Sequence, residues 1–168
     1  MNTYASVLSA VGAALTLACG GSREPVPVVG APVDISLLAG DWTGDYSSVE
    51  SGRRGSIVFH LSAGTDTARG DVVMAPMWTG QPPVDQTSRS GAITPPATQL
   101  LHIEFVQVAG GQVSGLLAPY TDPTCGCTLR TSFTGRLRGD TLAGSYTSYH
   151  RQTGERQSGQ WRVVRKRP

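Results

Sequence analysis

Residues 129–149 read LRTSFTGRLRGDTLAGSYTSY, and the alternation inside them decides the fold. With Gly139 and Asp140 as a two-residue hairpin loop, glycine stands first, where a type II′ turn needs a positive φ. Leu137 then faces Leu142, Gly135 faces Gly144 and Phe133 faces Tyr146 on one side of the pleat. Arg136, Thr134 and Ser132 face Ala143, Ser145 and Thr147 on the other. A period of two held across a turn is a β-hairpin, because the helical period would scatter both faces.

The same alternation recurs outward from this hairpin. Trp42, Gly44 and Tyr46 oppose Asp41, Thr43 and Asp45, and then Ile57, Phe59 and Leu61 oppose Ser56, Val58 and His60. Past a turn near Gly64, a strand carries Gly70, Val72 and Met74 on one face. Leu101, Ile103 and Phe105 oppose His102, Glu104 and Val106. Residues 109–111 read as a three-residue loop, which sets Phe105 against Gly115 and Ile103 against Leu117. A strand to about Tyr120, the opening hairpin, and a last strand with Trp161 and Val163 complete the set. The prediction is an all-β, eight-stranded antiparallel up-and-down β-barrel, closed so that neither edge is left unpaired. Gly44, Gly70, Gly115, Gly135 and Gly144 all take the inner phase beside large apolar residues. The preferred reading is a filled core in which glycine makes room for Trp42, Trp161 and Tyr146; a ligand cavity is the alternative.

The 168 residues fit one domain with a processed N-terminus, and charged residues make up only 15% of them, as suits a Gly- and Thr-rich β protein. A net charge of +2 gives no argument for nucleic acid, and none is expected as a partner. Residues 4–18 form an apolar run too short to span a bilayer but of the right length for a secretory core segment. Leu15-Thr16-Leu17-Ala18-Cys19 resembles the lipobox of bacterial lipoproteins. The resemblance implies that residues 1–18 are a signal peptide, that Cys19 is acylated, and that the protein is held to a membrane of the cell envelope, facing periplasm or exterior. Ordinary secretion is the alternative. Residues 19–34, with Pro25, Pro27 and Pro32, read as an extended lipid-anchored tether with little to bury, and residues 35–168 as the barrel domain.

Gly40-Asp41-Trp42 resembles the Gly-x-Trp at the first strand of lipocalins and related calycin barrels. The recurring GDWTGDY, LAGSYTSY and SGQWRVVR are similar to strands of Gly-rich, Trp-ended barrel domains of bacterial lipoproteins without assigned activity.

Catalytic chemistry is thin. The chain has no GxSxG, HExxH, Walker loop or strand-to-helix GxGxxG, so neither an enzyme nor a cofactor is expected. His60, His102 and His150 lie far apart, and the first two fall on outward phases. Cys125-Gly126-Cys127 is not CxxC, and with no second thiol pair a zinc site lacks ligands. A structural disulfide or two thiols is the preferred reading, with redox or soft-metal binding as the alternative; no metal site is expected.

Connection lengths place a function. In a meander, alternate connections share an end, so the long ones (47–55, 75–98, 121–127 and 150–157) gather at one end, opposite the tight turns. That end is the expected ligand mouth, with Met77 and Trp78 as a lid and Tyr120 and His150 at the rim. The tether and the basic Arg165-Lys166-Arg167 tail are expected at the closed end, toward the bilayer; for the C-terminal cluster of Arg162, Arg165, Lys166 and Arg167 a solvated strand end is the equal alternative to lipid contact. The expected function is a non-enzymatic envelope lipoprotein that binds a small apolar ligand at the long-loop end. The alternative is a structural or interaction protein whose filled barrel binds another envelope protein through its loops.

Overall fold

The computed structural model describes residues 23–75, 98–123 and 125–167. The opening hairpin is β7 (Thr128–Arg138) and β8 (Thr141–His150), paired Leu137 to Leu142, Gly135 to Gly144 and Phe133 to Tyr146, as its alternation required. Gly139 has φ 58°, and no residue other than glycine has a positive φ among those described. A Cβ at Gly139 would meet nothing within 4 Å, so a side chain there costs backbone conformation alone. Gly139→Val is therefore expected to lower stability by about 1–2 kcal/mol, read as a shift of the urea midpoint. An unchanged midpoint would show that the turn does not hold this register.

The other long strands follow in chain order: β2 (Gly40–Ser47), β3 (Arg54–Leu61), β4 (Thr67–Ala75), β5 (Gln99–Ala109), β6 (Gln112–Thr121) and β9 (Arg156–Arg165). Each pairs antiparallel with the next, and β9 returns to β2, setting Trp161 opposite Tyr46, so the sheet closes on itself. The closed all-β barrel is consistent with a calycin-like barrel. Apolar residues point inward, while β2, β7, β8 and β9 turn Asp, Thr, Ser and Arg outward, the reverse of a barrel that faces lipid. No helix among the described residues is long and apolar enough to cross a membrane.

Two features correct the eight-stranded antiparallel expectation. First, Pro25–Val29, read above as tether, forms a ninth strand, β1, with Val26 and Val28 buried. β4 and β5 pair directly only from Asp71–His102 to Met74–Gln99; below that they part, and β1 fills the wedge. It lies antiparallel to β4 (Val26 opposite Ala68) and parallel to β5 (Val28 opposite Val106), so the sheet is mixed. The prolines fit because β1 is short and Pro25 and Pro27 alternate with the buried valines.

Second, the β5–β6 loop has two residues, Gly110 and Gly111, at φ 55° and 73°, with Ala109 paired to Gln112. A two-residue loop mismatches the faces unless the strand carries a bulge, and one occurs between Ile103 and Phe105. Leu101 and Ile103 point inward before it, Val106 and Val108 after it. Ile103 does oppose Leu117, but Val106, not Phe105, opposes Gly115. The bulge lies where β5 leaves β4 and takes up β1.

The tightly turned end is floored by α1 (Pro32–Ser36) and the buried Leu38 after it. Trp42 Nε1 donates to the Leu38 carbonyl at 2.8 Å. Arg165 donates to the Ala39 and Leu37 carbonyls, both at 2.7 Å, and its guanidinium carbon stands 4.5 Å from the centroid of the Trp42 ring. Arg165 thus has a structural post at the floor, and Arg167 lies 3.6 Å from Asp140, so part of the basic cluster is engaged within the chain.

Candidate functional site

The barrel axis holds an apolar cavity of about 100 Å³, floored by Leu38 and Trp42 and walled by Val72, Leu117, Phe133 and Trp161. What keeps it small is the stacking of rings on glycines. A Cβ at Gly115 would collide with Phe133, one at Gly135 with Trp161, and one at Gly159 with Tyr146. Each ring lies against bare backbone, Phe133 and Tyr146 on the adjacent strand and Trp161 on β7 two strands away, so the inner face packs closely without widening the barrel. Trp161 Nε1 is satisfied by the Thr134 and Ser145 carbonyls at 3.0 and 3.2 Å, and Phe133 meets its ring edge-on at 5.9 Å.

Toward the long-loop end the lining turns polar. Tyr46 and Tyr146 meet edge-on, their centroids 5.6 Å apart. Tyr120 Oη, Thr131 Oγ1 and Ser148 Oγ form a hydroxyl cluster, the last two 2.7 Å apart. The Tyr46 hydroxyl is buried with no hydrogen-bond partner among the described residues. Burial first, then the neighbouring Tyr146 and Tyr120, push its phenol well above the ordinary value. Burial likewise raises Tyr146.

The loops at this end are tied together. Arg53, before β3, forms an ion pair with Asp122, after β6, and also donates to Gln157 Oε1 at 3.1 Å. Asp122 is 1% exposed and Arg53 8%. Ser48 donates to the Ser158 carbonyl at 2.6 Å, and Glu50 accepts from the Ser158 amide at 2.6 Å. The stems of the β4–β5 connection leave from the same end, since Ala75 pairs with Arg54 and Gln99 with Met74.

Beside this tie, Cys125 and Cys127 are joined as a disulfide in the β6–β7 loop, with Gly126 at φ 65°. The loop is closed by backbone bonds from Asp122 N to Cys127 O and from Gly126 N to Asp122 O, each 2.8 Å. His150, at the end of β8 and buried, brings Nδ1 to 3.2 Å from Cys127 Sγ.

Of the residues expected at a mouth, Tyr120 lines the cavity, while His150 turns to the cysteine loop instead. Met77, Trp78 and Cys19 lie outside the described residues. His60 and His102 are outward, His60 with Nδ1 2.8 Å from Asp41 and His102 3.6 Å from Glu24. Sequence reasoning missed Arg53, Asp122 and Tyr46 as site residues. The 69-residue separation of Arg53 and Asp122 leaves no local signal for their pairing. The chain matches no protein-family model and no curated protein, so the geometry alone carries the functional reading.

Proposed function

We propose that the protein is a non-enzymatic lipoprotein of the cell envelope whose barrel takes one small, mainly apolar ligand through its long-loop end. The observation that carries the reading is the axial cavity of about 100 Å³ lined by Tyr46, whose hydroxyl has no hydrogen-bond partner among the described residues. An apolar cavity of roughly 150 Å³ accepts benzene or xenon, so one of about 100 Å³ takes at most a single small ring or a short alkyl group, with one hydrogen-bonding atom for Tyr46. Phenol is the probe. It is expected to raise the melting temperature of the full chain, and a space-filling Val72→Phe variant that still folds should lose that shift.

Tyr46→Phe separates binding from folding. An unsatisfied buried hydroxyl costs about 1–3 kcal/mol, so the variant should be more stable than the parent without phenol, yet gain less from it. The raised phenol adds a pH signature. Its contribution to stability is complete below about pH 10, where the unfolded phenol begins to ionise, and is lost as pH rises toward the folded value. Tyr46→Phe should flatten that alkaline loss. A Tyr46→Phe variant less stable than the parent would mean that the hydroxyl is satisfied in the folded protein.

The filled-barrel reading, a structural protein that binds an envelope partner through its loops, is favoured by one observation. The cavity is well below the roughly 300–1,000 Å³ of ordinary ligand sites. No phenol shift, with no small molecule carried through purification in native mass spectrometry, would select it.

The lipid anchor is part of the proposal and rests on residues 15–19. Arg23 lies on the barrel wall, 2.8 Å from Asp71, and β1 runs from there toward the closed end. From an acylated Cys19 to Arg23 the chain reaches at most about 14 Å. The wall beside β4 and β5 is therefore the face nearest the bilayer in this proposal, in place of the closed end. Membrane partitioning that survives Cys19→Ala would remove the anchor and leave the ligand reading intact.

A further inference from the structure

Cys125-Gly126-Cys127 supplies only two ligands for zinc; the fold brings two more. Asp122, Cys125, Cys127 and His150 place one ligand atom each within 4.8 Å of one another. We propose that reduction of the Cys125–Cys127 disulfide by a dithiol turns this end of the barrel into a binding site for a zinc-like divalent cation, held by both thiolates, His150 and Asp122.

The donor set suits a borderline-soft ion, with two sulfurs, one imidazole nitrogen and one carboxylate oxygen in a closed four-coordinate arrangement. Tetrahedral zinc holds such ligands about 3.5–3.8 Å apart, and Cys127 Sγ already stands 3.2 Å from His150 Nδ1. The loop is fixed by its backbone hydrogen bonds from Asp122 and Gly126, and His150 is anchored by its backbone N–H, which donates to the Glu155 carbonyl at 2.9 Å. Opening the sulfur–sulfur bond is therefore the main rearrangement the site needs.

Charge points the same way. Two thiolates and Asp122 bring three negative charges, and a divalent ion with Arg53 brings three positive, so the cluster stays neutral. A monovalent copper ion would leave one negative charge uncompensated beside buried groups. Arg53 on the Asp122 carboxylate is the kind of outer partner that orients a metal-bound oxygen. A nucleophilic role for the Cys127–His150 pair is less well served, because neither residue lines the cavity where a substrate would sit.

The redox step balances as thiol–disulfide exchange. A thiolate of the dithiol attacks Cys125 Sγ, the exposed sulfur, forming a mixed disulfide and releasing Cys127 as thiolate beside His150. The second thiol of the dithiol then displaces Cys125, closing the reductant's own disulfide. Two electrons pass to the protein, and both cysteines are deprotonated as the metal enters. The Cys125–Cys127 ring spans a sequence separation of only two residues, and small strained disulfides are the readily reduced ones.

The test uses the full chain with Cys19→Ser, so that the third thiol cannot contribute, before and after anaerobic treatment with a dithiol that is then removed. Co²⁺ is expected to bind the reduced protein at one equivalent with thiolate-to-metal charge transfer and the visible bands of tetrahedral cobalt, to be displaced by Zn²⁺, and to leave the oxidised protein spectrally unchanged. His150→Ala and Asp122→Asn should each weaken Zn²⁺ binding by at least about tenfold in competition with a chromophoric chelator. His150→Ala, checked for its β spectrum by circular dichroism, keeps the test open should Asp122→Asn fail to fold. No charge-transfer band on reduction, the same band in a Cys125→Ser/Cys127→Ser variant, or unchanged affinity in a folded His150→Ala variant would each overturn the proposal.

Discussion

Trp42→Ala is expected to lower the free energy of unfolding by roughly 3–5 kcal/mol, measured by urea denaturation of the full chain. The ring is 1% exposed and sits on β2 where the barrel closes, opposite Phe59 of β3 on one side and Arg165 of β9 on the other. Truncation opens a void above Leu38 and deprives the Leu38 carbonyl of its indole donor. It also takes the aromatic face from under the Arg165 guanidinium. Two milder variants divide the loss. Trp42→Phe keeps one ring but loses the fused second ring and the donor, so it should cost less than Trp42→Ala. Arg165→Met keeps the apolar stem and removes the charge-assisted bonds to Leu37 and Ala39, at about 1.5–3 kcal/mol. Because the residues touch, Trp42→Ala combined with Arg165→Met should cost less than the sum of the two. A Trp42→Ala loss under about 1 kcal/mol would mean that the floor is not what holds β2 and β9 together.

The barrel was legible because most of its strands state their faces twice, once in the alternation and once in the partner strand. In the β7–β8 hairpin Leu137 meets Leu142 and Phe133 meets Tyr146, and a slip of one would send Phe133 and Leu137 into water. Where that redundancy fails, the reading fails. Pro25-Val26-Pro27-Val28-Val29 does alternate, but its prolines read as linker, and its burial depends on a wedge between β4 and β5 that no local signal announces. The β5 bulge is hidden for a related reason. Leu100, Leu101, Val106 and Val108 offer apolar residues in both phases, so a single uninterrupted phase could be drawn through them and the loop length adjusted to suit. The end that holds the polar cluster was legible from connection lengths, since that needs only topology. The cluster itself was not. Asp122, His150 and Arg53 belong to three different connections or strand ends, and only the closed barrel makes them neighbours.

Arg53→Ala is the second large effect, expected to cost roughly 3–5 kcal/mol. Asp122 would be left in a nearly dry site without the guanidinium that compensates it, and Gln157 would lose its donor. The same rule has a converse that makes the prediction sharp. Replacing both members of a buried ion pair removes both desolvation penalties, so Arg53→Ala with Asp122→Ala should recover much of the loss despite deleting more atoms. Arg53→Lys should not rescue it, because a point charge cannot span Asp122 and Gln157 as the planar fork does. High salt should not reproduce the effect in the parent, since screening acts mainly on exposed charges and this pair is buried. Amide hydrogen exchange locates the consequence. Protection should fall first in the 48–53 and 122–127 loops, which Arg53 ties together, while the β7–β8 hairpin stays protected. If the double variant is as unstable as Arg53→Ala alone, the guanidinium acts by packing its stem under the loops, and the charge of Asp122 has no part in holding this end of the barrel shut.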